Sequence, residues 1–331
     1  MTLNVAINGL GRIGRLVLRA YVENPRPEFK IVALNGPADV AQHAHLFQYD
    51  SLHGTFQGEV RAEANALIIN GHRFAVTQEK DPTNIKWNAD VVLECTGKFT
   101  KKSDAGLHFA SGVKKVLVSA PSADADSTIV YGVNNSALKK DHTVISVGSC
   151  TTNCLAPVAK VLNDTFGIES GFMTTIHAYT GDQNILDGSH KDMRRARAAG
   201  LSLVPTSTGA AKALGIVIPE LQGKLNGTSI RVPVPNVSMV DLTFTSPKKL
   251  SKEDINAAMK AASESALKGV LGYNTAELVS VDFNHSPFSS VFDATQTFTV
   301  GEKMGRVVAW YDNEWGFSQR MLDVTALLTR L

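Results

Sequence analysis

The chain has 331 residues, of which 44% are hydrophobic and 19% charged, so it is long enough for about two globular domains. Lysine and arginine number 33 against 31 acidic residues, a balance that does not indicate nucleic-acid or membrane binding. It has only 3 cysteines, no signal-peptide pattern and no apolar run of membrane-spanning length. A cytoplasmic protein without a disulfide framework is expected.

The first predicted strand, Asn4–Asn8, is followed by the sequence GLGRIG at residues 9–14 and then by a helical pattern. A G-x-G-x-x-G run between a strand and a helix is typical of a dinucleotide-binding site. In such a site Gly9 permits the tight turn, Gly11 lets a pyrophosphate approach the backbone, and Gly14 lets helix and strand pack closely. The alternative is an ordinary glycine-rich turn.

Strands and helices alternate in the first half of the chain, which predicts a mostly parallel sheet with helices on both faces. Beyond about residue 150 the predicted strands lengthen and alternate in polarity, as in Ser238–Thr245, which favours a sheet with one solvated face. Other predicted strands are Lys30–Asn35, Val91–Cys95, Lys115–Ser119 and Thr143–Val147, and predicted helices include Ser103–Ala110 and Leu155–Leu162.

Cys150 lies between the predicted strand Thr143–Val147 and the predicted helix Leu155–Leu162. Free N–H groups and the helix dipole at such a junction favour an anion, so the thiol pKa is expected to fall. A thiolate attacks a carbonyl, and His177 is positioned in the sequence to move the protons. The alternatives are a structural cysteine or, with Cys154, half of a metal site. No second Cys or His pair of suitable spacing follows, so no metal is expected.

With these motifs the chain resembles the family of phosphorylating glyceraldehyde-3-phosphate dehydrogenases over its whole length. The resemblance implies an α/β protein with a Rossmann-type doubly wound parallel sheet and an α+β catalytic domain whose sheet is mostly antiparallel. It implies a dinucleotide-binding domain at residues 1–149, to which a C-terminal helix of about 316–331 returns, a catalytic domain at 150–315, and a homotetramer. The runs that carry it are Ala6–Gly9, Lys191–Arg197, Pro205–Lys212, Arg231–Ser238 and Trp310–Gly316.

The resemblance also implies the reaction: D-glyceraldehyde 3-phosphate becomes 1,3-bisphosphoglycerate, in glycolysis or gluconeogenesis. Cys150 would form the thioester and His177 would act as the base. Thr180 and Arg231 would bind the substrate phosphate. The residues implied for the attacking inorganic phosphate are Ser149, Thr151, Arg195, Thr208 and Gly209. Hydroxyls, backbone N–H groups and guanidinium groups are suitable ligands for phosphate.

The implied cofactor is NADP, NAD or both. The residues implied for its binding are Gly9, Gly11, Arg12, Ile13, Gly14, Asn35, Gly36, Lys80, Thr96, Gly97, Ser119, Ser189 and Asn313. Asn313 matches the family residue that holds the nicotinamide amide.

Three departures from the family pattern stand out. Val147-Gly148 replaces the usual Asn-Ala before the reacting cysteine, which affects the local geometry only. Gly36 stands where an acidic residue normally binds the adenosine ribose hydroxyls, and Asp39 is a poor substitute because Pro37 redirects the chain. Gly188-Ser189 replaces the Leu-Pro of NAD-specific members. The last two changes favour NADP, and the alternative is relaxed NAD binding.

Two other functions stay open. Erythrose-4-phosphate dehydrogenase shares most of these motifs, and a binding protein that has lost catalysis would keep the fold. No role is expected for His43, His45, His53 or His108, which are interpreted as ordinary surface or core residues. Cys154 is interpreted as structural, and its spacing would allow a disulfide with Cys150 under oxidation.

Overall fold

The computed structural model describes residues 2–331, which form two compact units. The first comprises the chain up to Ser149 together with Ser318–Leu331, and the second comprises Cys150–Phe317. No helix within residues 2–331 combines the length and the apolar character that a membrane span requires.

The first unit contains a nine-stranded sheet in the order β3-β4-β5-β2-β1-β6-β7-β9-β8. Its strands are β1 (Leu3–Asn8), β2 (Phe29–Asn35), β3 (Val60–Glu63), β4 (Ala66–Ile69), β5 (His72–Thr77), β6 (Val91–Glu94), β7 (Lys115–Val118), β8 (Ser127–Thr128) and β9 (Val144–Ser146). Its helices are α1 (Arg12–Glu23), α2 (Val40–Gln48) and α3 (Lys102–Ala105). All neighbouring strands are parallel except in the β3-β4-β5 meander, so the predicted mostly parallel sheet is confirmed.

The helix predicted over Ser103–Ala110 is shorter in the structure. α3 ends at Ala105 and continues as a 3-10 helix over Gly106–Ser111. Gly112 then ends the segment with a φ of 83°, a left-handed conformation that glycine adopts without a steric cost. The predicted strands of the first unit match the observed ones to within a residue or so at each end.

The second unit contains an eight-stranded sheet in the order β11-β12-β10-β13-β17-β15-β14, with β16 paired to β17. Its strands are β10 (Ser170–Ala178), β11 (Val204–Thr206), β12 (Leu225–Val232), β13 (Ser238–Thr245), β14 (Leu271–Asn274), β15 (Ser290–Asp293), β16 (Phe298–Val300) and β17 (Met304–Tyr311). The helices that begin in this unit are α4 (Cys150–Phe166), α5 (Ala210–Val217), α6 (Lys252–Glu264) and α7 (Trp315–Leu328).

This second sheet is mostly antiparallel, as the resemblance implies, and only β10–β12 and β14–β15 pair in parallel. β13 alternates strictly between buried and half-buried residues, as its sequence predicts. α4 packs against β15 and β17, and 12 of its 17 residues are buried. The start of α4 is therefore held rigidly against the sheet.

Candidate active site

Cys150 and His177 are brought together in the second unit. Cys150 is the first residue of α4, and His177 is the second-last residue of β10. The Cys150 Sγ lies 3.5 Å from the His177 Nε2, and His177 is 4% exposed. In the chain, Gly148 makes the turn before α4 with a φ of 72°, a conformation that favours glycine. The predicted strand-to-helix junction at Cys150 is thus observed.

The partners of His177 fix its tautomer. Its Nδ1 lies 2.7 Å from the Ala178 carbonyl oxygen, which can only accept a hydrogen bond, so Nδ1 carries the proton. Nε2 then presents its lone pair to the Cys150 thiol. The imidazole is oriented as a base toward the thiol.

Burial decides the protonation of this pair. It raises the pKa of the Cys150 thiol, although the Arg231 charge and hydrogen bonds from Thr151 act in the opposite direction. Burial also lowers the pKa of His177 to about 3, and the nearby Arg231 charge acts in the same direction. The expectation of a lowered thiol pKa is therefore wrong, because desolvation of the thiolate outweighs the stabilising groups. Burial therefore favours the neutral thiol and the neutral imidazole in this pair.

Arg231 lies beside His177 because β12 runs parallel to β10 and aligns the two residues. Its Nη1 donates to the Ala178 carbonyl at 3.0 Å and to the Thr180 hydroxyl at 3.3 Å, and lies 3.2 Å from the His177 Nδ1. Its Nε is buried without a hydrogen-bonding partner. A buried donor without a partner is costly, and a guanidinium group binds phosphate well. Arg231 and Thr180 thus form a group suited to an anion next to the reacting pair.

Arg195 is held by its own neighbours. Its Nη1 pairs with Asp182 at 2.5 Å, its Nε donates to the Thr206 hydroxyl at 2.9 Å, and its Nη2 donates to the Ser207 carbonyl at 3.2 Å. The sequence does not predict this pairing with Asp182. An incoming phosphate would have to compete with Asp182 for the guanidinium group.

Thr208 and Gly209 directly precede α5, and the N-cap residue, Gly209, has no side chain to cap the helix. The Thr208 hydroxyl accepts from the Ala210 N–H at 3.2 Å, and Gly209 is exposed with open space where a Cβ would be. A helix start whose N-cap residue is an exposed glycine leaves further backbone N–H groups accessible to an anion. Ser149, the last residue of the first unit, is half-buried.

Thr151 turns its hydroxyl inward, where its Oγ1 lies 2.9 Å from the Tyr311 hydroxyl. Tyr311 also contacts the Thr175 hydroxyl at 2.8 Å, and its ring packs edge-on against His177 with centroids 5.9 Å apart. Burial raises the pKa of Tyr311, so it stays a neutral phenol. Tyr311 has no predicted role, although it lies in the run Trp310–Gly316 that carries the resemblance.

The carboxamide of Asn313 is oriented by Ser238. The Ser238 hydroxyl accepts from the Ala178 N–H at 3.0 Å and donates to the Asn313 Oδ1 at 2.9 Å. The Nδ2 donors of Asn313 therefore lie at the other end of the group, in the orientation that a ligand carbonyl requires.

Cys154 is fully buried, and its sulfur lies 3.4 Å from the Ser290 hydroxyl and 3.8 Å from the Ala309 carbonyl. Burial raises the pKa of its thiol to about 12. All three cysteines are free. The structural interpretation of Cys154 stays a prediction, and this packing is consistent with it.

In the first unit the glycine turn has the geometry that its sequence predicts. Gly9 has a φ of 98°, and a Cβ there would lie 2.7 Å from the Thr96 backbone nitrogen. A Cβ at Gly14 would lie 1.9 Å from the Gly9 carbonyl oxygen, so helix and strand touch at this point. Around Gly11 there is open space, and no side chain caps α1. This turn can admit a pyrophosphate.

A cavity of about 520 Å³ opens beside this turn, a volume typical of small-ligand sites. It is lined by six of the residues predicted to bind the cofactor, namely Gly9, Gly11, Asn35, Gly36, Lys80 and Thr96. His43, to which the sequence analysis gave no role, also lines it.

Several predicted cofactor residues are engaged within the protein. The Asn35 amide donates to Asn8 at 2.8 Å and to the Glu79 carbonyl at 2.9 Å, so both of its N–H groups are used. Arg12 forms an ion pair with Asp50 at 2.6 Å, and this pairing helps to lower the pKa of Asp50 to about 2 against the effect of burial. Of these side chains, Asn35 forms part of the cavity lining.

The remaining predicted cofactor residues are placed as follows. Ile13, the second residue of α1, is half-buried. Gly97 has a φ of 69°, and the Ser119 N–H donates to the Glu94 carbonyl at 3.0 Å. Ser189 is exposed and belongs to the second unit.

A buried carboxylate, Glu94, organises the floor of this region. It accepts hydrogen bonds from Asn8 at 2.6 Å, from the Thr96 N–H at 2.8 Å and from the Thr96 hydroxyl, and it contacts His108 at 3.0 Å. Trp87 donates to the other ring nitrogen of His108 at 3.0 Å. His108 is thus a core residue, as expected, but it belongs to a polar network that the sequence did not reveal.

Two domain models of one known family match this chain. The glyceraldehyde 3-phosphate dehydrogenase C-terminal domain matches residues 149–313, and the NAD binding domain of the same family matches residues 3–102. A glyceraldehyde-3-phosphate dehydrogenase of Xanthobacter flavus is 54% identical over 334 residues, covering 100% of both chains. The enzymes of that name from Cereibacter sphaeroides and Geobacillus stearothermophilus are 54% and 52% identical, covering 100% and 99% of this chain and 100% and 98% of their own.

Proposed function

Because the chain belongs to the glyceraldehyde-3-phosphate dehydrogenase family, we propose that it oxidises D-glyceraldehyde 3-phosphate to 1,3-bisphosphoglycerate through a thioester at Cys150. It is an oxidoreductase that uses NAD(P). The observation that carries the proposed mechanism is the 3.5 Å separation of the Cys150 Sγ and the His177 Nε2 at the start of α4. This reaction has its place in glycolysis or gluconeogenesis.

The reaction begins with addition of the Cys150 thiol to the aldehyde carbon. As the carbon–sulfur bond forms, the neutral His177 ring accepts the thiol proton at Nε2 and passes it to the carbonyl oxygen. The product is a hemithioacetal. The Cys150 backbone N–H, at the positive end of the α4 dipole, can stabilise the developing oxyanion.

Oxidation then converts the hemithioacetal to a thioester. His177 Nε2 removes the hydroxyl proton as hydride leaves the same carbon, so two electrons leave and the carbonyl re-forms. Bound nicotinamide supplies the hydride acceptor. An oxygen of inorganic phosphate attacks the thioester carbon, and the carbon–sulfur bond breaks with Cys150 leaving as a thiolate. The protonated His177 returns its Nε2 proton to the sulfur, which restores the thiol and the neutral imidazole.

Arg231 and Thr180 support binding of the substrate phosphate, because the buried Arg231 Nε has no protein partner. A phosphate there would also offset the positive charge that lowers the pKa of His177. Substrate binding would therefore make the imidazole a stronger base. The start of α5 at Thr208 and Gly209 supports binding of the attacking phosphate, with Arg195 nearby once it is released from Asp182.

The first unit fits an NAD(P) molecule. Gly9 and Gly14 leave room that a Cβ would fill, and Gly11 exposes backbone at the start of α1 to a pyrophosphate. The oriented carboxamide of Asn313 suits the nicotinamide amide. Gly36 carries no charge that would repel a 2′-phosphate, and its neighbour Asn35 has both amide N–H groups engaged. We therefore propose that NADP is used at least as efficiently as NAD.

We further propose a homotetramer in the cytoplasm. One segment of the second unit carries a cluster of exposed apolar side chains, of the kind that marks a contact with another chain. They are Ile185, Leu186, Met193, Leu201 and Leu203. Three free cysteines fit a reducing compartment.

The deciding experiment follows reduced-nicotinamide formation from glyceraldehyde 3-phosphate, with and without inorganic phosphate, for NAD and NADP separately. The proposal requires turnover that depends on phosphate. Phosphate-independent turnover of erythrose 4-phosphate to a free acid would instead identify the erythrose-4-phosphate enzyme. A protein that has lost catalysis would show no turnover, and the absence of a mass shift at Cys150 after incubation with iodoacetate would support that outcome.

A further inference from the structure

His43 is a buried histidine whose ring has no hydrogen-bonding partner. It lies on α2, is 3% exposed, and neither Nδ1 nor Nε2 is paired within the protein. A buried polar group without a partner costs free energy, and native structures rarely retain one without a reason. The ring lines the cavity beside the glycine turn, so a ligand in that cavity can reach it.

Gly36 is the residue that leaves this ring open. A Cβ at Gly36 would lie 2.6 Å from the His43 Nε2 and 2.8 Å from its Cε1. Any larger side chain at residue 36 would therefore displace or cover the ring. The His43 ring thus occupies space that a side chain at residue 36 would otherwise fill.

Two other polar side chains close to the ring in the sequence, Asn35 and Asp39, are already engaged. The Asn35 carboxamide is used by Asn8, Thr77 and Glu79. The Asp39 carboxylate accepts from the Gln42 N–H at 2.7 Å and caps α2. Unlike Asn35 and Asp39, His43 therefore keeps its ring nitrogens available at this edge of the cavity.

The influences on His43 come from several elements. Burial is the largest and lowers the pKa of His43, the Gly36 backbone beside the ring raises it, Arg15 on α1 lowers it, and Asp39 before α2 raises it. Lys80, Glu79 and Lys98 line the same cavity from the segments after β5 and β6. The free ring is therefore neutral near pH 7, and a dianion placed beside it would favour its protonation.

We propose that His43 is a specificity-determining residue that donates a hydrogen bond from Nε2 to a phosphate on the 2′ position of the cofactor's adenosine ribose. This deepens the cofactor part of the proposed function and rests on it. Gly36 makes the approach possible, and the imidazole supplies the positive partner that a 2′-phosphate requires. An adenosine without that phosphate gains nothing from the ring.

The test uses adenosine fragments, so that no catalytic step enters the readout. Binding of 2′,5′-ADP and of 5′-AMP is measured by titration calorimetry at pH 6.5 and pH 8, in two buffers with different ionisation enthalpies. The proteins are the wild type, His43→Leu, which removes the donor, and His43→Gln, which keeps a neutral amide donor. Thermal unfolding of each variant reports its folding.

For wild type we expect 2′,5′-ADP to bind more tightly than 5′-AMP, and more tightly at pH 6.5 than at pH 8. His43→Leu should weaken 2′,5′-ADP binding by about tenfold or more, the usual effect of a charged hydrogen bond, and leave 5′-AMP unchanged. His43→Gln should recover part of the affinity. Proton uptake that accompanies 2′,5′-ADP binding in wild type should be lost in both variants.

Equal losses for both fragments would make His43 a packing residue and overturn the proposal. Unchanged 2′,5′-ADP affinity in His43→Leu would also overturn it, as would a wild type that binds both fragments equally. Whether the chain is a phosphate-dependent dehydrogenase is decided separately by the turnover assay with glyceraldehyde 3-phosphate. Failure of the His43 assignment and failure of the proposed reaction are thus distinguishable.

Discussion

Each of the two units of the chain buries a histidine, but the two rings differ in whether their nitrogens have partners within the protein. In the second unit His177 has a partner at each ring nitrogen, the Cys150 thiol and the Ala178 carbonyl. In the first unit His43 has none, although it is equally buried. Burial lowers the pKa of both rings.

This difference separates a site prepared within one chain from a site completed by its ligand. The reacting pair is oriented before substrate arrives, because backbone and thiol hold the imidazole in one tautomer. The cofactor cavity keeps a polar group open instead, at a cost in folding free energy that a bound ligand can offset. Substitutions in the two regions should therefore differ in what they disturb.

The largest effect should come from Cys150→Ala, which removes the nucleophile. We expect it to abolish phosphorylating oxidation of glyceraldehyde 3-phosphate while 5′-AMP binding, a property of the first unit, stays unchanged. Turnover assays and calorimetry measure the two properties on one preparation. Cys154→Ala is the matched control, since it removes a buried thiol four residues along α4 and should keep turnover. Substantial turnover by the Cys150 variant would contradict a covalent mechanism.

His177→Asn should lower turnover by roughly 10²–10⁴, the usual contribution of a general base. Because burial lowers the pKa of His177 to about 3, the ring is neutral at any pH well above that value. Alkylation of Cys150 should then follow the raised thiol pKa alone, and its midpoint should be nearly the same in the variant. The measurement is the rate of iodoacetamide alkylation between pH 5 and pH 10, in roughly unit steps. A clearly higher midpoint in His177→Asn would indicate a thiolate–imidazolium pair and contradict the neutral resting state.

The cofactor preference tests the first unit. Gly36→Asp alone would force the His43 ring to move, since a Cβ at residue 36 lies 2.6 Å from its Nε2. We therefore combine Gly36→Asp with His43→Leu. A carboxylate against a 2′-phosphate costs on the order of several kcal/mol when desolvated, so NADP use should be lost selectively. Gly188→Leu with Ser189→Pro should act in the same direction through bulk and loss of a hydroxyl.

The measurement is the ratio of kcat/KM for NADP to that for NAD. Wild type should give a ratio of about one or more, and His43→Leu alone should lower it less than the double variant does. A wild-type ratio well below one, unaffected by these substitutions, would mean that the chain is an ordinary NAD enzyme with altered loops.

The smallest of these effects is expected for Arg231→Leu. It should raise the KM for glyceraldehyde 3-phosphate by about ten- to a hundredfold relative to that for unphosphorylated glyceraldehyde, the effect of a charged hydrogen bond to phosphate. The variant should also raise the pKa of Cys150 further, because the Arg231 charge lowers it. Steady-state kinetics with both aldehydes check the first point and alkylation rates the second. Equal changes in KM for the two aldehydes would show that Arg231 acts only on the structure of the site.

Much of the fold could be predicted because local patterns and tertiary structure agree. β13 is buried at every second residue along Ser238–Thr245, as its alternating sequence indicates. Gly9 and Gly14 are positions where only glycine fits, so their spacing already contains the geometry of the turn. α3 was over-extended in prediction, because its change to a 3-10 helix has no clear signal in an apolar-periodic stretch.

The chemistry at the site depended more on tertiary structure. The sequence by itself determined which groups are present: a thiol at Cys150, an imidazole at His177, and a glycine in place of an acid at residue 36. It did not determine that the thiol pKa rises, because desolvation depends on everything that packs around the sulfur.

Nor could it indicate that His43 lies beneath Gly36. The contact depends on how α2 packs beside the end of β2, and no periodicity in the sequence indicates it. The sequence gives the identity of each side chain. Burial, register and the distance between remote groups depend on the tertiary structure. The tertiary structure decides the roles of these groups because those roles depend on burial, register and distance.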